Sequence, residues 1–350
     1  MESRDSLQDL LKGVSRSFYL TLTVVPRSMR RPLGVGYLLA RAADTLADTA
    51  IVPPADRLAC LERFRAELDA PTPAGLAAIA GALTGPAQQP AERDLLARLP
   101  ECFAALSELA PEDQDRLRRL LRILIEGMRR DLDTFGGPPA GRSNRIVALD
   151  TRDDLDLYTY MAAGCVGEYW TDTAMAHRAS LRAWDGAAMR RKGLRFGQAL
   201  QMTNVLRDLA HDLDGGRCYL PRRDLLAFGL RPEEVRDPRA LARVRPLLRS
   251  LVQLTLAHYA EAWTYLTLIP ASEVRLRLAC AWPLFIGLAT LDAVQRAPNL
   301  LDPQVTVKIS RSDVYRILAR SAALVWSSRG LGWYYARHLT RLHARGGLLG

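Results

Sequence analysis

Long uncharged runs, a leader, paired cysteines and nucleic-acid motifs are all missing from this 350-residue sequence. Each absence removes a class of function. No stretch reaches the roughly 18 to 20 apolar residues needed to span a bilayer; the strongest candidate runs without charge only from Arg277 to Asp292. The N-terminus, MESRDSLQDL, is polar and mixed in charge, unlike a signal peptide. Five cysteines (Cys60, Cys102, Cys165, Cys218 and Cys280) are an odd number, widely spaced, with no C-x-x-C. They read as buried free thiols in a reducing cytoplasm. No G-x-G-x-x-G follows a strand and no βαβ unit is visible, which excludes a Rossmann domain. The net charge is +10, yet no helix-turn-helix, RNP or zinc-finger pattern accompanies it, so nucleic acid is not an expected partner. Such an excess fits a polyanionic small substrate, an anionic membrane surface or a plain compositional bias equally well.

What is present is a helical composition. Apolar residues make up 49% and charged residues 25% of the chain, enough for a sizeable globular core. Alanine, leucine and arginine dominate, and β-branched residues are rarely clustered. Helical periodicity recurs from end to end. It is broken at VPPAD (52–56), at the small-residue stretch around 70–92, at FGGPPAGRSN (135–144) and at DGGRCYLPRRD (214–224). None of these is long enough for an interdomain linker. A single all-α domain over 1–350, of about ten helices, is the expectation, with 135–144 as its most mobile loop.

Two segments carry the chemistry. In GYLLARAADTLADT, Tyr37, Arg41, Asp44 and Asp48 are spaced by 4, 3 and 4 residues and share one helix face. Like charges at i, i+4 repel by a few tenths of a kcal/mol, so the pair Asp44/Asp48 asks for a reason. GQALQMTNVLRDLAHDLDGGRCYLP supplies one. Asp208 and Asp212 repeat the spacing, and Asn204, Gln201 and Gly197 step back along the same face of one helix. Facing each other, the two stripes would place four carboxylates around one space. Hard oxygen ligands of this kind suit Mg²⁺, which takes one or two carboxylates and leaves its other positions to water and substrate phosphates. Either pair alone could be an exposed accident; two pairs, each aligned with polar uncharged residues and an arginine, make a solvated-surface origin much less natural.

At these residues the sequence resembles the squalene/phytoene synthase family of head-to-head prenyl synthases, over roughly residues 12 to 320. SRSFYL (15–20) is similar to the family's N-terminal S-R-S-F segment, and the two aspartate helices resemble its paired aspartate-rich motifs. IEGMRRDL (125–132), YTYMAAGCVGEYW (158–170) and VKISR (307–311) resemble further family segments. The resemblance implies an all-α isoprenoid-synthase-type helical bundle around a central cavity. It implies Mg²⁺-dependent condensation of two allylic diphosphates, farnesyl diphosphate first among them, through presqualene diphosphate. Asp44, Asp48, Asp208 and Asp212 are then the metal ligands. Arg41 and Arg207 add charge-assisted hydrogen bonds to the diphosphate. Tyr37, Gln201 and Asn204 lie beside the substrate, Ser15 and Phe18 match a substrate-contacting segment, and Tyr158 matches a tyrosine near the carbocation. The chain departs from the family pattern at Thr159, Ala162-Ala163-Gly164 and His211, changes that leave the carboxylates intact.

By the same resemblance, Lys308 and Arg311 contact the phosphates of NADPH, which favours squalene as the product. A dehydrosqualene or phytoene synthase shares the first half-reaction without the hydride. A non-catalytic relative would have eroded aspartates, and all four are present. The C-terminal segment 326–350 mixes Trp326, Trp333, Tyr334 and Tyr335 with Arg337, Arg341 and Arg345. It reads either as a peripheral membrane-interface segment or as a helix packing its aromatics on the domain.

Overall fold

The computed structural model describes residues 2–14, 18–49, 52–82, 89–136 and 146–344; the side chains of 2–6, 18–20 and 344 are outside that description. Contacts divide the chain into two compact units, Met1–Ala140 with Asp172–His177, and Gly141–Thr171 with Arg178–Gly350. Seventeen α-helices are present among the described residues, more than the ten expected, because several short ones follow the Pro and Gly breaks.

The first unit holds α1 (Glu2–Val14), α2 (Phe18–Val24), α3 (Arg27–Asp48), α4 (Pro54–Glu67), α5 (Pro73–Gly81), α6 (Pro90–Ala97), α7 (Leu99–Ser107) and α8 (Pro111–Phe135). Proline stands in the first turn of each helix from α4 to α8, where its missing N–H was unsatisfied anyway and its fixed φ is preorganised. The small-residue stretch around 70–92 is therefore not a continuous break. Thr72 caps α5 by accepting the N–H of Gly75 at 3.0 Å, and Pro90 starts α6. Gly136, at φ +72°, ends α8 in the left-handed region that favours glycine.

Helix α3 is the axis of this unit and packs on α4, α7 and α8. Leu38, Leu39, Ala42, Ala43 and Leu46 are fully buried. From Gly34 to Asp48 only Tyr37, Ala40, Arg41, Asp44 and Asp48 escape burial. Over this length of α3 the aspartate stripe is the open line on an otherwise buried helix.

The second unit begins with β1 (Val147–Ala148) and α9 (Arg152–Thr159), which leads through a π-helical turn (Tyr160–Gly164) into α10 (Cys165–His177). From Asp172 onward α10 belongs to the first unit. There follow α11 (Gly186–Arg207), α12 (Leu209–Asp214), β2 (Arg217–Cys218), α13 (Arg222–Ala227), α14 (Leu241–Leu268), α15 (Val274–Arg296), α16 (Arg311–Leu324) and α17 (Ser328–Ala344). The break at 214–224 contains β2, which pairs in parallel with β1 (Val147 opposite Arg217, Ala148 opposite Cys218).

Helix α11 is the centre of this unit. Asp185 caps it by accepting from the N–H groups of Ala187 and Ala188 at 3.0 and 3.1 Å. It lies along α14, where the buried hydroxyls of Thr203 and Tyr259 meet at 2.8 Å. Against α10 and the π-helical turn the backbones themselves touch. A Cβ on Gly167 would stand 1.9 Å from the carbonyl oxygen of Gly193, and one on Gly197 would stand 2.1 Å from that of Ala163. Glycine is required at these positions for close approach rather than for its φ.

All five cysteines are free, four of them buried, as their spacing suggests. Burial pushes the thiols of Cys102, Cys165, Cys218 and Cys280 up to about 12, so they act as small apolar core groups. The expectation that no segment could span a bilayer needs correcting on length and composition. Helix α15 is long and apolar enough, because few of its residues are charged once Arg275, Arg277, Asp292 and Arg296 fall near its ends. Its apolar window is 61% buried within the protein, where it packs on α11, α14, α16 and α17.

Candidate active site

In the first unit, α3 builds a three-residue charge cluster. Arg41 Nη1 bonds the carboxylate of Asp44, one turn further along the open stripe. Its other terminal nitrogen bonds Glu92 Oε1 at 2.7 Å. Glu92, in the first turn of α6, was not visible from sequence pattern, since it is 51 residues from its partner. The clamp fixes the guanidinium plane on the stripe, and Arg41 Nε remains buried without a hydrogen-bond partner among the described residues. Tyr37 donates its hydroxyl to the carbonyl of Val14 at 3.3 Å. Burial raises its pKa further above the usual tyrosine value, and the Arg41 charge opposes that shift.

Asp44 is the electrostatically stressed member. Burial first, and the neighbouring charge of Asp48 second, raise its carboxyl to about 6 against the pull of Arg41. About 38% of its side chain still meets solvent, so a hydrated cation can reach it. A divalent cation beside Asp44 and Asp48 would relieve both causes of the shift. Among the described residues no three His, Cys, Asp or Glu side chains converge to hold an ion by themselves. A Mg²⁺ ion here would have one or two carboxylates and would take its remaining oxygens from water and substrate phosphate. The raised carboxyl and the orphaned Arg41 Nε together fit a metal–anion pair at this stripe.

In the second unit, a chain of polar contacts runs along α11. Asn204 Nδ2 donates to Gln201 Oε1 at 3.3 Å, and Gln201 Nε2 donates to the hydroxyl of Tyr158 at 3.1 Å. Tyr158 stacks on Tyr219 with ring centroids 4.3 Å apart. Arg207 Nε donates to Asp208 Oδ1 at 2.8 Å in a two-pronged pair. That pairing is the main reason the Arg207 pKa rises. The segment is not the continuous helix expected: α11 ends at Asp208 (φ −96°, ψ 7°) and α12 restarts at Leu209. The hydrogen bonds Asp208 N–H to Asn204 O (2.8 Å) and Asp212 N–H to Asp208 O (2.9 Å) bridge the break, so Asp212 still follows Asp208 by one turn.

Gln198 is a positioning residue that sequence pattern did not single out. Fully buried, it donates to the Asp156 carbonyl at 3.0 Å, to Asp156 Oδ1 at 3.0 Å and to Thr159 Oγ1 at 3.2 Å. It thereby holds α9, and with it Tyr158, against α11. Tyr158 also sits two residues before the π-helical turn, a local widening that often marks functional sites.

Lys308 and Arg311 lie elsewhere in the second unit, Lys308 on the irregular segment leading into α16 and Arg311 at the first position of that helix. Both are exposed, and among the described residues no hydrogen bond or ion pair joins them to the Tyr158–Asp208 chain. Ser310 caps α16 by accepting the N–H of Asp313 at 3.1 Å, so the two cations flank a helix N-terminus, a donor set that fits phosphate. Ser15 and the side chain of Phe18 lie outside the described residues.

The geometry can be compared with known proteins. A family model described as squalene/phytoene synthase matches residues 11–313. The squalene synthase of Eremothecium gossypii is 27% identical over 321 residues, 89% of this chain and 66% of that protein. The bifunctional lycopene cyclase/phytoene synthase of Colletotrichum graminicola is 30% identical over 264 residues, 75% of this chain and 41% of that protein. The chain thus spans no more than about two thirds of the length of either relative. Among solved structures, TcSQS with the ligand E5700 superposes with a TM-score of 0.77 at 24% identity, covering 99% of this chain and 94% of that one. That likeness concerns the fold, which is the all-α squalene synthase fold. The stripe on α3, the Tyr158–Asp208 chain and a family match spanning both lead to one assignment: the chain belongs to the squalene/phytoene synthase family.

Proposed function

We propose that the protein is a squalene synthase, joining two farnesyl diphosphates head to head through presqualene diphosphate and reducing the product with NADPH. The observation that carries this reading is the α3 stripe, the open line between Gly34 and Asp48, where burial and Asp48 raise the Asp44 carboxyl to about 6 and Arg41 Nε is buried without a hydrogen-bond partner among the described residues. Those features have no structural use in a solvated surface and suit a metal diphosphate.

Asp44, Asp48, Asp208 and Asp212 are the residues proposed to hold Mg²⁺, and Lys308 and Arg311 those proposed to hold the NADPH phosphates. When bound, Mg²⁺ neutralises charge on the departing diphosphate and NADPH supplies the hydride of the last step. The protein's own groups do the rest. Arg41, braced by Glu92, and Arg207 offer guanidinium donors to diphosphate oxygens, bonds stronger than neutral ones. The aromatic ring of Tyr158 is placed to stabilise positive charge on an allylic chain in this reading. Its hydroxyl, already accepting from Gln201, is oriented to give or take a proton.

A phytoene or dehydrosqualene synthase is the second reading, favoured by the likeness to the Colletotrichum protein; it keeps every carboxylate role and drops that of Lys308 and Arg311. The test of the shared chemistry is release of inorganic diphosphate from farnesyl diphosphate with Mg²⁺. Asp44→Ala and Asp208→Ala should each abolish release while the far-ultraviolet circular dichroism stays that of the wild type. Retained release in either variant would show that its carboxylate is not a metal ligand.

A further inference from the structure

The three most exposed large apolar side chains among the described residues are Trp326 (69%), Tyr315 (67%) and Trp333 (59%). All three lie on α16, the turn after it, or α17. Along α16 and the turn that follows it, Tyr315, Ala319, Ala322 and Trp326 succeed one another at spacings of 4, 3 and 4, and all are exposed. They form one apolar stripe facing away from the protein. The opposite face carries the buried Ile317, Ser321 and Val325. The helix therefore has two apolar faces, and only one is used by the fold.

Helix α17 sorts its aromatics the same way. Tyr335 stacks on Trp263 at 4.4 Å and 6°, and Tyr334 and His338 pack on Phe285 at 4.7 and 5.5 Å. These residues pin the helix from within, so Tyr334 and Tyr335 are core groups and not part of an interfacial face. Trp333 is held outward, with Arg337 5.7 Å from its ring centre, and the exposed Arg329 and Arg341 stand one turn before and two turns after it. Between 311 and 344 there are six arginines and one carboxylate, Asp313, and that carboxylate is paired with Arg316 at 3.1 Å.

We infer that this outer face of α16 and α17 docks on an anionic bilayer surface, with Tyr315, Trp326 and Trp333 seated at the headgroup level and the arginines on lipid phosphates. The chemistry of the face selects that occupant. Tryptophan and tyrosine are favoured where one end of a ring is apolar and the other wet. Flanking arginines attract an anionic leaflet by about 1 kcal/mol each, roughly fivefold in partitioning. Two copies of this face would repel each other through the same arginines. Since α17 is pinned by its inner aromatics and α16 by Ile317 and Val325, docking does not require the helices themselves to be ordered.

The test is co-sedimentation of the full chain with vesicles of phosphatidylcholine alone and of phosphatidylcholine with phosphatidylglycerol in equal parts. The wild type should sediment with the anionic vesicles only, shift its tryptophan emission to the blue and dissociate as salt is added. Trp326→Ala with Trp333→Ala should remove most of the binding. Each of Arg329→Gln, Arg337→Gln and Arg341→Gln should weaken it about fivefold. All five side chains are exposed, so the melting temperatures should match the wild type, and diphosphate release without vesicles should be unchanged. Absence of binding to anionic vesicles would overturn the inference, as would equal binding by the double tryptophan variant. Loss of a dimer in light scattering on replacing the tryptophans would overturn it in favour of an interface between copies of this chain.

Discussion

Replacing Gly197 by alanine is the sharpest perturbation of the second half of the site. The added Cβ would stand 2.1 Å from the Ala163 oxygen, 2.6 Å from its carbonyl carbon and 2.9 Å from Gly164 Cα. All three obstacles are backbone, so no side chain can rotate away. Restoring an ordinary contact of 3.4 Å from 2.1 Å requires 1.3 Å of separation between α11 and the π-helical turn. Overpacking of this kind costs about 1–3 kcal/mol. The displacement also exceeds what the 3.1 Å bond from Gln201 to Tyr158 can follow, and misplacement by about 1 Å costs roughly 10²-fold in rate. The assay is a thermal melt beside diphosphate release from farnesyl diphosphate. The variant should melt several degrees lower and turn over about a hundredfold more slowly. Gly81→Ala is the control: nothing lies within 4 Å of its added Cβ, and in a helix alanine gains up to about 1 kcal/mol. A Gly197→Ala protein that melts and turns over like the wild type would refute the claim that backbone approach positions Tyr158 against α11.

Three further outcomes follow from the same geometry. Burial lowers the pKa of His258 and His338 to about 4 from the usual 6.5, so the unfolded chain binds more protons between those values. The stabilisation is complete above about pH 6.5 and is lost as pH falls toward 4, about 2 kcal/mol per histidine at pH 5; melting curves of His338→Gln should be flatter between pH 7 and 5 than those of the wild type. Gln198→Ala removes the donations to the Asp156 carbonyl, Asp156 Oδ1 and the Thr159 hydroxyl, leaving the 3.0 Å bond from that hydroxyl to the Asp156 carbonyl in place. It should cost about 1–3 kcal/mol in a denaturant titration and lower turnover through Tyr158, whereas an effect on stability alone would make Gln198 purely structural. Glu92→Gln leaves Arg41 with one carboxylate in place of two and should raise KM for the diphosphate substrate more than it lowers kcat; an unchanged KM would remove Glu92 from the site.

How much of this was legible in sequence depended on range. The α3 stripe was legible because burial of the rest of the helix from Gly34 to Asp48 forces its polar residues into one line of period 3.6. The Asp208 break was not, since no Gly or Pro marks it and the hydrogen bonds carry through. Helix α5 hid in a stretch of small residues whose Thr72-Pro73 start signal was outweighed by the surrounding Pro and Gly. The two-residue strands are too short for any period. Glu92, Gln198 and Tyr219 owe their roles to partners 51, 42 and 61 residues away in sequence, and local patterning carries no such information. The sorting of Tyr334 and Tyr335 inward and Trp333 outward depended likewise on where α14 and α15 lie.

The most direct test of the proposed function is to incubate the purified protein with farnesyl diphosphate and Mg²⁺, with and without NADPH, and to identify the lipid by mass spectrometry. The account predicts squalene only in the tube with NADPH, and its loss in a Lys308→Ala, Arg311→Ala protein that still releases diphosphate. Dehydrosqualene or presqualene diphosphate as the same product in both tubes would contradict the reductive step and leave the carboxylate chemistry. No product in either tube would contradict the account at its root.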